Sequence, residues 1–459
     1  MDSWSPAKWS EEISGHQVLV LVHQVFLDVL THSYFSLSHA ALLIMDECHH
    51  AQITKSHPYS TIMRDWYHML KRMGQQVPRV LGLSACLVVK TVKPEKFRLE
   101  KNNLETIMDC KVETTEDLYA ILQFVTNPDE EVLVHESSEK PELSNAILSL
   151  VDQAVTQLEK LNEQELLQLN QNISDKNTKQ TAKMDLKKDL KLLKNDIFRN
   201  IADGIEDLGL ISLQLMLGGL KEMVRRQEQR SDSVFYGILT RKKMINITKN
   251  CFAEIEKMSS QICYEYGKSN IQLLKNLSSK KVLKLTDQLK ISSTEGSVEK
   301  RAIVFVEKKF TAESLCKILK EFSRLDQRLN HMEPDFAYSP GSNLNCKDPR
   351  QRDLINHERK KLKDTLAKFK AGTTNTIVST SVIEEGLDVR SCNLVIKFDF
   401  PQTFRSYVQS KGRARAKPSQ YILMMSQTDQ IMKRRQYQEF QDVEELSLRE
   451  CHFTKEDEV

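Results

Sequence analysis

No proline occurs between Pro141 and Pro334, and from Asn145 to about Lys290 Leu, Ile and Met recur every three or four residues. Ile147, Leu150, Val151, Val155, Leu158 and Leu161 set the pattern. Proline lacks the amide a helix needs and clashes with the preceding turn, so an interval this long without one, carrying a 3.6-residue period, predicts a block of helices. The flanks read differently. Short β-branched runs lie on the N-terminal side at Gln17–Val22, Ala40–Met45, Arg79–Ser84 and Val132–Val134, and on the C-terminal side at Arg301–Val306, Thr376–Thr380, Leu394–Phe398 and Tyr421–Met425. Continuous apolar runs of this kind suit strands buried on both faces of a parallel sheet. The pattern predicts two α/β regions separated by an all-α one.

Within the helical block, the polar run Asn172–Gln180 reads as a linker, and Leu208–Leu220, interrupted by Gln214 and shorter than the ~20 residues a bilayer span needs, reads as one buried helix. Lys183, Lys187, Lys188, Lys191 and Lys194 form a basic stripe, read as a solvated helix face ahead of an RNA contact. The whole chain holds 66 Lys and Arg against 63 Asp and Glu, a net charge of +3 over 459 residues, so any nucleic-acid site has to be local. Its nine cysteines are scattered with no Cys-x-x-Cys pair, which argues against a disulfide framework and against a zinc module, and fits a reducing, cytoplasmic setting. Asp2, Trp4, Lys8 and Glu11 supply no secretory signal, and no segment reads as membrane-spanning.

The run Ala40–Met45 ends in Asp46-Glu47-Cys48-His49, which puts two adjacent carboxylates at the C-terminal edge of a sheet, where open α/β folds bind ligands. One carboxylate can hold Mg2+ through water while its neighbour acts on the attacking water in phosphoryl transfer; a loop or helix cap is the plainer reading of the pair. Cys48, His49 and His50 lack a fourth ligand at zinc-finger spacing. Far along the chain come Thr380-Ser-Val-Ile-Glu-Glu-Gly386-Leu-Asp388 and Gln409-Ser-Lys411-Gly-Arg413-Ala-Arg415. Glycine admits a phosphate close to the backbone and paired arginines can fork toward phosphoryl oxygens; a surface basic patch is the competing reading.

In order, Asp46–His49, Leu83-Ser-Ala-Cys86, Val304–Ala312, Ser379–Asp388 and Gln409–Arg415 resemble the motif series of superfamily 2 RNA helicases. Phe305–Ala312 and Arg405–Ala416 resemble the helicase region of Dicer, and Trp9–Ile13 with Gln24–Asp28 resembles the arthropod small-interfering-RNA type. The resemblance implies two RecA-like parallel-sheet domains, the first incomplete, with an all-α insertion in the second. It implies ATP and Mg2+ as cofactors and double-stranded RNA as partner, read through backbone and 2′-hydroxyl geometry, in RNA interference and antiviral defence. A double-stranded-RNA-binding protein on the helical insertion is a further implied partner.

By the same resemblance Asp46 binds Mg2+ through water, Glu47 is the base, and His49 couples the nucleotide site to the arginine motif. Ser84 and Ala85 form the linkage motif, with Cys86 departing from the commoner threonine. Gln24, Phe305 and Thr380 map near the RNA backbone, Gly386 and Asp388 face the nucleotide sugar and phosphates, and Gln409, Arg413 and Arg415 face the γ-phosphate. The implied division is 1–112 partial first RecA-like domain, 113–140 entry to the second, 141–297 helical insertion, 298–428 second RecA-like domain and 429–459 the start of a helical extension.

No Gly-x-x-x-x-Gly-Lys-Ser/Thr occurs; the only Gly-Lys-Ser, Gly267–Ser269, has Ile262 where the first glycine belongs. A P-loop supplies the amides and lysine that cradle the β- and γ-phosphates. Two other readings stand beside the helicase: a non-hydrolysing RNA-binding scaffold and a viral-RNA-sensor helicase. The chain reads as an interior fragment, a truncated gene product or a short paralogue. It is expected to hydrolyse ATP at no measurable rate; RNA-stimulated turnover abolished by Glu47→Gln, followed as phosphate release, would refute this.

Overall fold

All but one of the apolar runs on either side of the helical block form parallel strands. The computed structural model describes residues 4–52, 57–88, 93–115, 127–136, 141–172, 175–229, 235–266, 270–294, 301–339, 349–384, 387, 389, 391–450 and 452–454. They divide into two compact units, the first built from Met1–Asn127, Pro401–Gly412 and Ile431–Val459, the second from Pro128–Phe400 and Arg413–Gln430.

In the first unit β1 (Leu42–Asp46) and β2 (Arg79–Leu83) pair in parallel, Leu42 opposite Arg79 and Asp46 opposite Leu83. One face of the pair packs, with Met45 buried among Leu30, Leu37, Ile62, Met63, Leu104 and Met108. The opposite face leaves Leu42, Ile44, Leu81 and Leu83 exposed. β3 (Glu113–Thr115) pairs with the later β10 (His452–Thr454), and the helix Gln430–Arg449 packs Phe440 against Phe404 and Tyr407. The strand expected over Gln17–Val22 is not paired; Val18, Val20 and Val22 are 77%, 93% and 63% exposed. A strand needs a neighbour for its amides and carbonyls, and none of the described strands runs beside this one.

The second unit holds a six-stranded parallel sheet in the order β4-β9-β8-β5-β7-β6. Its strands are β4 (Asp129–His135), β5 (Ala302–Phe305), β6 (Pro334–Ala337), β7 (Thr376–Ser379), β8 (Leu394–Lys397) and β9 (Gln420–Ser426). β4 precedes the helical block in sequence and joins β9 at the sheet edge, so the block is threaded between two strands of one sheet. Val304, Ile396 and Ile422 pack with Leu315, Leu319 and Phe322 of the helix Lys309–Leu325 and with Val282, Leu285 and Leu289 of the block's last helix, Lys280–Thr294. Burying each such side chain stabilises by roughly 1.5–3 kcal/mol.

The rest of the block has its own core, in which Ile147, Val151, Leu158, Ile197, Phe198 and Phe252 meet. Inside it Asp189 accepts from the Arg241 guanidinium at 2.9 Å and from Gln227. Two expectations are corrected. The linker over 172–180 is shorter, because Asp175 caps the helix Lys176–Lys191 by accepting from the Thr178 amide at 2.8 Å. Leu208–Leu220 is two helices, Arg199–Leu208 and Ile211–Glu228, parted at Gly209 with φ +93°.

At that break the Ser279 amide donates to Leu208 O at 3.0 Å and its hydroxyl to Asp207 O at 2.6 Å, closing a helix end that would otherwise be unsatisfied. A Cβ on Gly209 would lie 2.3 Å from Leu277 O. Gly209→Ala is expected to destabilise the chain by roughly 2–4 kcal/mol, read as a lower urea midpoint; an unchanged midpoint refutes the argument.

Candidate functional site

The acidic pair sits where β1 ends. Asp46, the strand's last residue, is exposed and takes the Glu47 amide on Oδ1 at 3.1 Å. Glu47 adopts φ +52°, ψ +47°, a left-handed conformation uncommon for a side-chain-bearing residue and frequent at functional turns. That bend starts the short turn Cys48–His50 and swings it over β2, where a Cβ on Gly82 would meet Cys48 Sγ at 2.8 Å, so only glycine admits this approach. The Tyr59 hydroxyl donates to Asp46 O at 2.9 Å and braces the strand end from the other side.

His49 is buried, its Nδ1 2.7 Å from Ser84 Oγ and 3.2 Å from Glu47 Oε2. The Ser84 hydroxyl gives its one proton to Cys86 O at 2.6 Å and accepts the Cys86 amide at 3.2 Å. His49 Nδ1 therefore carries a proton and donates to Ser84. The histidine joins the acidic pair to the Ser84-Ala85-Cys86 turn, on which Ala85 is exposed. His50, His57 and His23 continue the line of rings, with centroids 4.4 to 4.9 Å apart from His49 onward.

Burial pushes the Cys86 thiol up to about 12; its bond to Val88 O and the Arg405 guanidinium oppose the shift, and the Glu47 carboxylate adds to it. Arg405 and Glu47 thus both act on the linkage turn. Arg405 lies on the helix Phe404–Lys411, where its Nε donates to Gln409 Oε1 at 3.2 Å. Gln409 is buried and its amide Nε2 has no acceptor among the described residues. An orphaned buried donor is costly and asks for an acceptor. Gln24 is on the helix His23–Thr31, exposed, and donates to Asp28 at 2.8 Å.

In the second unit Thr380 directly follows β7 and is nearly buried, its amide on Ala337 O at 3.1 Å. Phe305 is 1% exposed and lies in the sheet core with Lys397 Nζ 5.1 Å from its ring, so its side chain is not presented at the surface. Its place mid-sheet, between β7 and β8, is the reason. Arg413 donates to Glu384 O and Leu387 O, both at 2.9 Å, tying the glycine-bearing loop to its own backbone, while Arg415 is exposed. Gly386, Asp388 and Gly267–Ser269 lie outside the described residues. Sequence reasoning missed the buried Lys397–Glu384 pair at 2.8 Å that holds the same loop; a lysine inside the apolar run Leu394–Phe398 was the signal.

For the implied cofactors, the exposed Asp46 carboxylate offers a hard oxygen donor suited to a largely hydrated Mg2+, and the Gln409 amide fits an anionic oxygen. Among the described residues no group of three or more His, Cys, Asp or Glu is arranged to cage an ion.

Residues 280–417 match the helicase conserved C-terminal domain. The chain is 29% identical over 451 residues to endoribonuclease dcr-1 of Caenorhabditis elegans, covering 94% of this chain and 22% of that protein. It is 30% identical over 442 residues to endoribonuclease Dicer homolog 2 of Arabidopsis thaliana (95% and 29%) and 28% identical over 468 residues to endoribonuclease Dicer of Gallus gallus (94% and 23%). It thus spans less than a third of the length of these curated relatives. Among solved structures the Hef helicase domain of Pyrococcus furiosus aligns over 94% of this chain and 81% of its own, with TM-score 0.44 and 20% identity.

Cys48, raised to about 11 by burial, by Cys110 and by its acidic neighbours, and Cys86 at about 12 are expected to resist alkylation in the native chain. At about pH 8, where an ordinary thiol is partly ionised, iodoacetamide should leave both unlabelled by peptide mass spectrometry; rapid labelling of either refutes the buried geometry.

Proposed function

We infer that this chain, a Dicer-type helicase region over nearly its whole length, serves as the helicase module of a Dicer-like ribonuclease, contacting double-stranded RNA and coupling nucleotide turnover to RNA movement in the complete protein. The observation that carries the reading is the Gln409 amide, buried and lacking an acceptor in the same unit as Asp46, Glu47 and His49.

In this reading Asp46 would hold Mg2+ through water, and a bound ion would supply charge neutralisation at the phosphates. Glu47 takes the proton of the attacking water. The His49 Nδ1–H donates to Ser84, and its ring, 3.2 Å from Glu47 Oε2, sets that carboxylate beside the Ser84-Ala85 turn. Gln409 donates to a γ-phosphate oxygen, and Arg413 and Arg415 belong to the same phosphate-facing motif, with Arg413 also shaping the loop that carries Gly386 and Asp388. Those two residues are assigned to the nucleotide sugar and phosphates. Gln24 and Thr380 are the assigned RNA-backbone contacts. The domain limits set out from the sequence, a helical insertion that receives a double-stranded-RNA-binding protein, and a cytoplasmic setting complete the proposal. No described helix is long and apolar enough to cross a membrane.

A duplex of ~20 base pairs titrated by fluorescence anisotropy over a salt series tests it, since each neutralised phosphate contributes roughly −0.7 to −0.9 to the log-log slope. A slope of about −2 or steeper is expected; a slope near zero overturns the RNA reading.

A further inference from the structure

The whole chain carries a net charge of only +3, yet residues 352–371 alone hold seven Lys and Arg against three Asp and Glu. They belong to the helix Pro349–Ala371, which packs beside the sheet-edge strand β6. His357, Lys360, Lys361 and Lys368 recur at helical spacing and share one face. With Asp335, Asp364 and Thr365 they line a surface pocket of about 430 Å³.

Two of the acids near this face have partners of their own, while Asp364 is exposed. Glu358 is buried and held by Lys309, and Asp335 accepts the Thr365 hydroxyl at 3.0 Å. Lys361 spreads its ammonium over the Phe336 ring at 3.5 Å, and burial lowers its pKa. Lys360, Lys363 and Lys368 are exposed and have no ion pair among the described residues. Several other surface cations of this unit are matched to acids, Lys194 to Glu159, Lys221 to Glu256, Lys249 to Glu228 and Arg324 to Glu321, while Lys183 and Lys187 have no ion pair among the described residues. On this helix the acids offset only part of the charge, leaving an excess of four cations over residues 352–371. From Lys360 to Lys368 the helix rises about 12 Å, enough to meet more than one phosphate of a polyanion.

We propose that this lysine face is a phosphate-backbone contact for double-stranded RNA, separate from the motif residues Gln24 and Thr380. The proposal rests on the RNA reading above. It assigns the face a role in affinity without sequence preference, since point-charge lysines on phosphates carry register and not base information.

The test uses the full chain and an RNA duplex of ~20 base pairs over a salt series. The variant Lys360→Ala with Lys368→Ala is compared with a matched pair from the other basic helix, Lys183→Ala with Lys187→Ala. Removing two phosphate contacts should make the slope shallower by about 1.5 and weaken binding about tenfold, while the matched pair changes neither. An unchanged slope in the first variant, as an acidic protein partner or a merely solvated face would give, overturns the proposal and leaves the RNA reading standing. So does an equal loss in the matched pair. Absence of salt-dependent binding by the unaltered chain overturns both. Should circular dichroism show that the alanine pair unfolds, Lys360→Gln with Lys368→Gln keeps the aliphatic stems and is held to the same outcomes.

Discussion

A lysine buried between two aspartates holds the inserted helices to the sheet. Lys281 Nζ lies 2.6 Å from Asp207 and 2.8 Å from Asp399, above the Phe398 ring at 4.1 Å. Burial alone would lower its pKa, but Asp399 and Asp207 outweigh it and hold the amine up at about 12. Burial would likewise raise Asp399, yet Lys281 keeps it below the usual carboxylate range, whereas Asp207 is pushed up. A buried charge without partners is costly by several kcal/mol, so these three groups must stay together. Asp207 ends one inserted helix, Lys281 opens another and Asp399 follows β8, and the arrangement fixes where the insertion meets the strand edge. Asp399 also accepts the Glu307 amide at 2.7 Å, carrying the constraint into the turn after β5.

The same logic of satisfied polar groups shapes both candidate loops. His49 is anchored by Ser84 and Glu47, and the loop after β7 by Arg413 on its carbonyls and Lys397 on Glu384. Each loop is held by charged or polar side chains delivered from distant sequence positions. Such anchoring keeps the side chains of both loops in fixed geometry.

Much of this architecture was legible in the residue pattern. Continuous β-branched runs marked β1, β2, β5, β7, β8 and β9, and for β5, β7 and β8 the cause is burial on both faces, which leaves no polar alternation to confuse the reading. β6 escaped because Pro334 and Asp335 break its apolar run, which only an edge strand tolerates. Gln17–Val22 misled for the opposite reason: composition marks a strand, but only a hydrogen-bonded neighbour makes one. The break at Gly209 was hidden because the glycine is flanked by Leu208 and Leu210, so hydropathy continues through it. At the candidate site, motif order singled out Asp46, Glu47 and Gln409, while Lys397 and Tyr59 were passed over because their partners lie thirteen residues away along the chain. Phe305 shows the limit of position-by-position transfer, since motif membership does not say which way a side chain points.

The open face of the β1–β2 pair bears on how the protein behaves in concentrated solution. Ile44 and Leu81 stand side by side with Leu42 and Leu83 on that face, an arrangement that favours sticky encounters between molecules as crowding rises. Because water-driven adhesion of this kind strengthens with kosmotropic salts and is not removed by ionic screening, sulfate-rich buffers would promote clumping. Turbidity in such buffers would then report this face and not a loss of native structure.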